Sequence, residues 1–148
     1  MSKRSICPLI VCGALMLGGC LDFGPNISTT KPTAEQVKFC RSVMYLNPQV
    51  IIEPQGFQLI SGIDRYVLLK FVVPTSDINQ LFLSPPVDVL LMRPNFDFSG
   101  GPNEPWWDPP SSGLIGAHYE LPYVKFMNAA YIDNGDGTLT VYVQWNET

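Results

Sequence analysis

Past residue 40 the chain has no cysteine, and in its whole length it has one histidine, His118. A zinc site built on histidines needs ligands that this inventory does not supply. Basic residues are also scarce: nine Lys and Arg stand against thirteen Asp and Glu. With so little positive charge to neutralise phosphates, nucleic acid is excluded as a natural partner. Several signatures are missing as well. There is no Gly-x-x-x-x-Gly-Lys loop to cradle a phosphate and no Gly-x-Ser-x-Gly turn to present a nucleophile. Beyond residue 17 no apolar run is long enough to cross a membrane. No cofactor or metal is therefore expected.

What is present begins at the first residues. Lys3 and Arg4 precede an apolar stretch of 12 residues, Ile6 to Leu17, followed by Leu17-Gly18-Gly19-Cys20. The cations favour the cytoplasmic side, and the stretch suits a signal core but is too short for a stable span. These residues resemble the bacterial lipoprotein signal, whose lipobox reads Leu, a small residue, Gly or Ala, then Cys. The resemblance implies that residues 1–19 are removed and that Cys20 is acylated, its thiol carrying a diacylglycerol. It implies an envelope location, anchored in the bilayer by acyl chains such as palmitate. Leu21, rather than an aspartate, follows the lipid cysteine, and Asp22 comes one place later. Within this family that order implies the outer membrane, with the domain facing the periplasm.

Removing residues 1–19 leaves 129, enough for one domain that buries roughly 65–70% of its unfolded surface. Seven basic and thirteen acidic residues then give a net charge of −6, which disfavours attraction of the domain surface to anionic lipid. Cys7 and Cys12 leave with the signal and Cys20 carries lipid, so Cys40 has no intramolecular partner. It reads as a small buried apolar residue.

Residues 20–32 form the lipidated Cys20 and a flexible tether rich in Pro, Gly, Ser and Thr. Twelve such residues reach about 20 Å. Residues 33–148 form one globular domain. A helix starts at Thr33, where Thr33-Ala34-Glu35-Gln36 fits a capping box. Val37, Cys40 and Met44, flanked by Val43, fall on one face, with Lys38, Arg41 and Tyr45 opposite; Pro48 stops it. Strands are predicted at 50–53, 57–60, 65–73, 87–92, 123–133 and 138–145, with a short second helix at 77–83. Ser61-Gly62-Ile63-Asp64 and Asn134-Gly135-Asp136-Gly137 read as hairpin turns. Leu139, Val141, Val143 and Trp145 alternate with Thr138, Thr140, Tyr142 and Gln144, the mark of an antiparallel sheet with one dry face. The fold class is α+β: a mainly antiparallel sheet of about five or six strands with one or two helices packed on it.

Residues 94–116 read as one long irregular loop, and loops of that length are usually functional or disordered. It carries Phe96, Asp97 and Phe98, then Pro105-Trp106-Trp107-Asp108-Pro109-Pro110. Two readings stay open. Either the aromatics pin the loop to the sheet, or one tryptophan packs inward while the other meets a partner. A sugar ring could stack there, with Asp97, Glu104 or Asp108 taking hydroxyls. Asp133-Asn134-Gly135-Asp136-Gly137 resembles a calcium loop, but Ile132 would hold the first ligand position and the distal glutamate is missing. His118 reads as a surface or edge-strand residue. No carboxylate pair is singled out for glycoside hydrolysis. The leading expectation is a non-catalytic binding domain, with an envelope protein or glycan as partner and Phe96, Phe98, Trp106, Trp107 and Asp108 as its loop. The alternatives are a small envelope hydrolase acting on glycan or peptide through Asp108, His118 or Glu120, and a structural lipoprotein without a ligand.

Overall fold

The computed structural model describes residues 24–148. The expected signal segment, Cys20 and the residues just after it lie outside the described residues. The domain is one sheet of seven strands in the order β1-β2-β3-β7-β6-β5-β4, with every neighbouring pair antiparallel. The strands are β1 (Ile27–Thr29), β2 (Glu53–Ile60), β3 (Arg65–Pro74), β4 (Arg93–Pro94), β5 (Ile115–Leu121), β6 (Lys125–Asp133) and β7 (Thr138–Glu147). One α-helix, α1 (Ala34–Val43), and two 3-10 turns (Thr75–Gln80 and Val89–Leu91) complete it. This is the sheet-rich α+β fold expected, with seven strands in place of five or six.

The helix begins as its sequence requires. The Thr33 side chain accepts from the Gln36 amide, and the Gln36 side chain accepts from the Thr33 amide. Pro48 does not end it. Tyr45 turns left-handed at φ +55° and the Leu46 amide returns to the Arg41 carbonyl five residues back, which closes the last turn before Pro48 is reached. Cys40 and Met44 are fully buried under the sheet, as the helical spacing predicted.

The two faces of the sheet are covered by different means. On the front, alternate residues of the central strands point into the main core: Val67, Leu69, Phe71 and Val73 from β3, and Leu139, Val141, Val143 and Trp145 from β7. Helix α1 covers this face together with residues 75–92, which carry the chain from β3 to the far edge. Leu81, Phe82, Val87 and Met92 are the buried anchors of that crossover. The predicted helix at 77–83 is a 3-10 turn that starts at Thr75, and the predicted strand at 87–92 is not a strand. Its apolar residues belong to the crossover, where Val87 meets the core and Leu90 stays exposed.

On the back, residues 95–114 lie over the sheet and form a second, smaller core with it. Two further expectations change. The tether of residues 20–32 is interrupted by β1, because Ile27 packs on the main core and pairs with Leu59. The irregular loop ends before residue 116, because Ile115, Ala117, Tyr119 and Leu121 alternate into the main core as β5. Among the described residues no helix is long and apolar enough to cross a membrane.

Candidate functional site

The aromatic loop sits on a trough that the strand register creates. Gly56, Lys70, Tyr142, Ala130 and Gly116 are consecutive partners across β2, β3, β7, β6 and β5. A glycine stands at each end of this row. A Cβ at Gly56 would run into the Trp106 ring, and one at Gly116 would fall 2.5 Å from Ala130 Cβ and 2.7 Å from Phe96. The two glycines are thus seats for two rings of the loop, Trp106 and Phe96, a close approach that no larger residue permits.

Between the seats the rings pack edge to face, the arrangement their quadrupoles favour. Phe98 stands 5.3 Å from Trp107, and Trp107 stands 5.4 Å from Tyr142. Trp106 meets Trp107 at 6.0 Å and Phe96 meets Phe98 at 5.0 Å. Trp107 and Phe98 are buried, while Trp106 and Phe96 are half-buried. Polar contacts fasten the same loop. The Trp106 indole donates to Ser28 Oγ at 3.2 Å, and Ser28 Oγ donates to Glu104 at 2.9 Å. Gln58 donates to the other Glu104 oxygen at 2.7 Å. The Lys70 ammonium donates to Asp108 at 2.6 Å, and the Tyr142 hydroxyl donates to the same oxygen at 3.1 Å.

Burial works to raise the Asp108 pKa, but the Lys70 hydrogen bond and charge, with Tyr142, outweigh it and hold the carboxyl below its ordinary value. Tyr142 is pushed up, by burial first and then by the Asp108 charge. The five loop residues singled out from the sequence are therefore brought together, and what they grip is their own sheet. Both tryptophans are engaged with it. Glu104 and Asp108, two of the carboxylates considered for a sugar, are committed to fastening the loop; Asp97 is exposed.

The remaining reactive groups are apart. His118 Nδ1 lies 2.8 Å from Asn128 Oδ1 and its ring stacks on Phe126 at 5.8 Å, on the back of β5. Among the described residues no hydrogen bond joins His118, Glu120 and Asp108. Cys40 is fully buried, and desolvation pushes its thiol up to about 12, so thiolate at neutral pH is negligible. Asp133 and Asp136 spend their oxygens on the hairpin turn, accepting from the Gly135 and Thr138 amides. Among the described residues no three of His, Cys, Asp or Glu are placed to hold a metal ion.

A surface that sequence reasoning missed lies at the sheet end marked by Pro74 and Thr138. A groove of about 440 Å³ opens there, with Ile51, Ile52, Val72 and Pro74 as its apolar wall and Glu53 and Asp77 as its charges. Its lining contains no Lys or Arg. Ile51 is 83% exposed, held out by a segment whose neighbours Val50 and Ile52 are buried. A smaller hollow of about 290 Å³ lies on the crossover against Phe82, Val87 and Leu90. The only sequence signal for the larger groove was the apolar run 50–52 before Glu53, read as a strand. Compared with protein-family models, with curated proteins and with solved structures, the chain matches none.

Proposed function

We propose that this chain is a lipid-anchored bacterial envelope protein, held by acylated Cys20 at the periplasmic face of the outer membrane, whose domain binds a partner and performs no chemistry on it. The partner is a polypeptide segment of another envelope protein that offers apolar and basic side chains together. One observation carries this reading: the groove at Ile51, Glu53 and Asp77 joins an apolar wall to uncompensated negative charge. A concave apolar surface with a few convergent polar groups is the common form of a binding site. It opens at the end of the sheet opposite Gly24, the described residue nearest Cys20, so an anchored domain would present it away from the bilayer. The aromatic loop supports the same reading indirectly, by stiffening the sheet on which the groove is built.

The test places a photo-crosslinking residue at Ile51 in the lipidated protein, in its own cells, with Asn103 on the back loop as control. A dominant protein adduct that disappears with Glu53→Lys and Asp77→Lys is the expected result. Equal labelling from Ile51 and Asn103 overturns the groove as the binding surface, and a ladder of glycan adducts replaces the protein partner with a sugar.

A further inference from the structure

At the end of the sheet where the described chain begins, two turns stand side by side at the same height. The register row Arg65, Glu147, Lys125, Leu121 runs across β3, β7, β6 and β5. Beyond it project Gly62-Ile63-Asp64, from the β2–β3 hairpin, and Pro122-Tyr123-Val124, from the β5–β6 hairpin. The two turns are about three strand spacings apart, roughly 14 Å. Their tips are apolar and bare: Ile63 is 84%, Tyr123 88% and Val124 63% exposed.

The second turn is also strained. Tyr123 and Val124 have φ of +65° and +55°, a region that L side chains avoid and a β-branched residue avoids most. Tyr-Val in this position contributes nothing to the core and opposes its own backbone. Strain held at exposed apolar side chains points to a contact outside the domain.

The chain itself says what that contact is. Ser61, in the first turn, donates its amide to Asn26, and Ile27 pairs with Leu59 beside it, so the strand leading from Cys20 is fastened at this end. From Cys20 to Gly24 the backbone spans at most about 14 Å, since an extended chain covers no more than about 3.6 Å per residue. An acyl group on Cys20 would therefore keep this end of the sheet within reach of the membrane.

We infer that Ile63, Tyr123 and Val124 enter the headgroup region of the bilayer and fix the domain upright on it. The inference rests on the lipoprotein reading above. The attachment is apolar. Lys125 is paired with Glu147 at 3.5 Å and Arg65 adjoins Asp64, so the tips bring little net positive charge to the surface. Tyrosine is well suited to the role, with a ring for the apolar side and a hydroxyl for the wet side.

The test uses the full lipidated chain in phosphatidylethanolamine–phosphatidylglycerol vesicles, after intact-mass measurement of the acyl groups on Cys20. Single cysteines for an environment-sensitive fluorophore are introduced as Tyr123→Cys, Ile63→Cys and, at the opposite end, Gln49→Cys. Dyes at 123 and 63 should shift to the blue, and spin-labelled lipid should quench them at least about twofold more than at 49, as expected for side chains within 5–10 Å of the interface. Raising the salt should leave this unchanged. If Tyr123→Cys disturbs its turn, Ile63→Cys gives the same reading from an unstrained one. Solvent-like emission at both sites with Cys20 acylated overturns the inference alone. An unmodified Cys20 overturns the anchor, and this inference with it.

Discussion

The two ends of the sheet meet the same problem, turning a hairpin, with opposite residues. At the far end Gly135 and Gly137 take φ of +76° and +87°, and Asp133, Asn134, Asp136 and Thr138 tie the turn with their own side chains. This is turn chemistry in its low-energy form. At the near end Tyr123 and Val124 take similar angles with bulky side chains, and neither buries itself. The far turn is chosen for the fold. The near turn costs the fold something, which places its use outside the domain. Net charge separates the ends in the same sense: Glu53, Asp77, Asp133 and Asp136 stand at the far end beside exposed Ile51, whereas at the near end Lys125 is paired with Glu147 and the turn tips are Ile63, Tyr123 and Val124.

Three changes test this contrast. The largest effect comes from Trp107→Ala, which empties the middle of the back core between Phe98 and Tyr142. Loss of a buried tryptophan should cost about 3–5 kcal/mol, measured by urea unfolding. If the two ends are local features of a common scaffold, this loss should add to the effect of any change at the near turn. The second is the pair Tyr123→Asn with Val124→Gly, which gives the near turn the chemistry of the far one. It should stabilise the domain by about 1–2 kcal/mol, the order of the left-handed penalty for one residue. An unchanged or lower melting temperature would show that the turn is not strained and would dissolve the contrast. The smallest effect is in acid. Because the Asp108 pKa is lowered in the folded state, its contribution is present above the unfolded value of about 3.9 and is lost as the pH falls through the folded value. The pair is solvent-screened, so Lys70→Met should remove below about 1 kcal/mol of this acid sensitivity. A larger loss, spread over both ends, would mean that the clasp governs them together.

The parts of the fold that were legible are those where side-chain pattern and backbone agree. The Thr33–Gln36 box, the buried Cys40 and Met44, the alternation of β7 and the glycine hairpin all follow from local chemistry. The near turn was hidden by the same logic. Tyr and Val are strand formers, so Tyr123-Val124 reads as the beginning of a strand that in fact starts at Lys125. Strand β1 has three residues between Pro-rich flanks, too few for a period to show. For β5 the alternation was present, but Gly116 looked like loop. It is a strand glycine because Ala130 on the neighbouring strand and Phe96 from the loop leave no room for its side chain, a fact about residues fourteen and twenty positions away in sequence. The aromatic loop was found from composition. Whether its rings faced the sheet or a partner depended on Gly56 and Gly116 lying in one register row, which composition does not encode.

The seam between β3 and β7 has a consequence for how the molecule is made. Partners across it are 64 to 82 positions apart, and they hold the two halves of the sheet together. Until β7 is present, β3 on one half and β6 on the other are open edges with unpaired amides and carbonyls, each an invitation to a neighbouring chain. Long-range pairing of this kind also closes slowly. A chain truncated before Thr138 would therefore carry two half-sheets, each with an open edge, rather than a shortened domain.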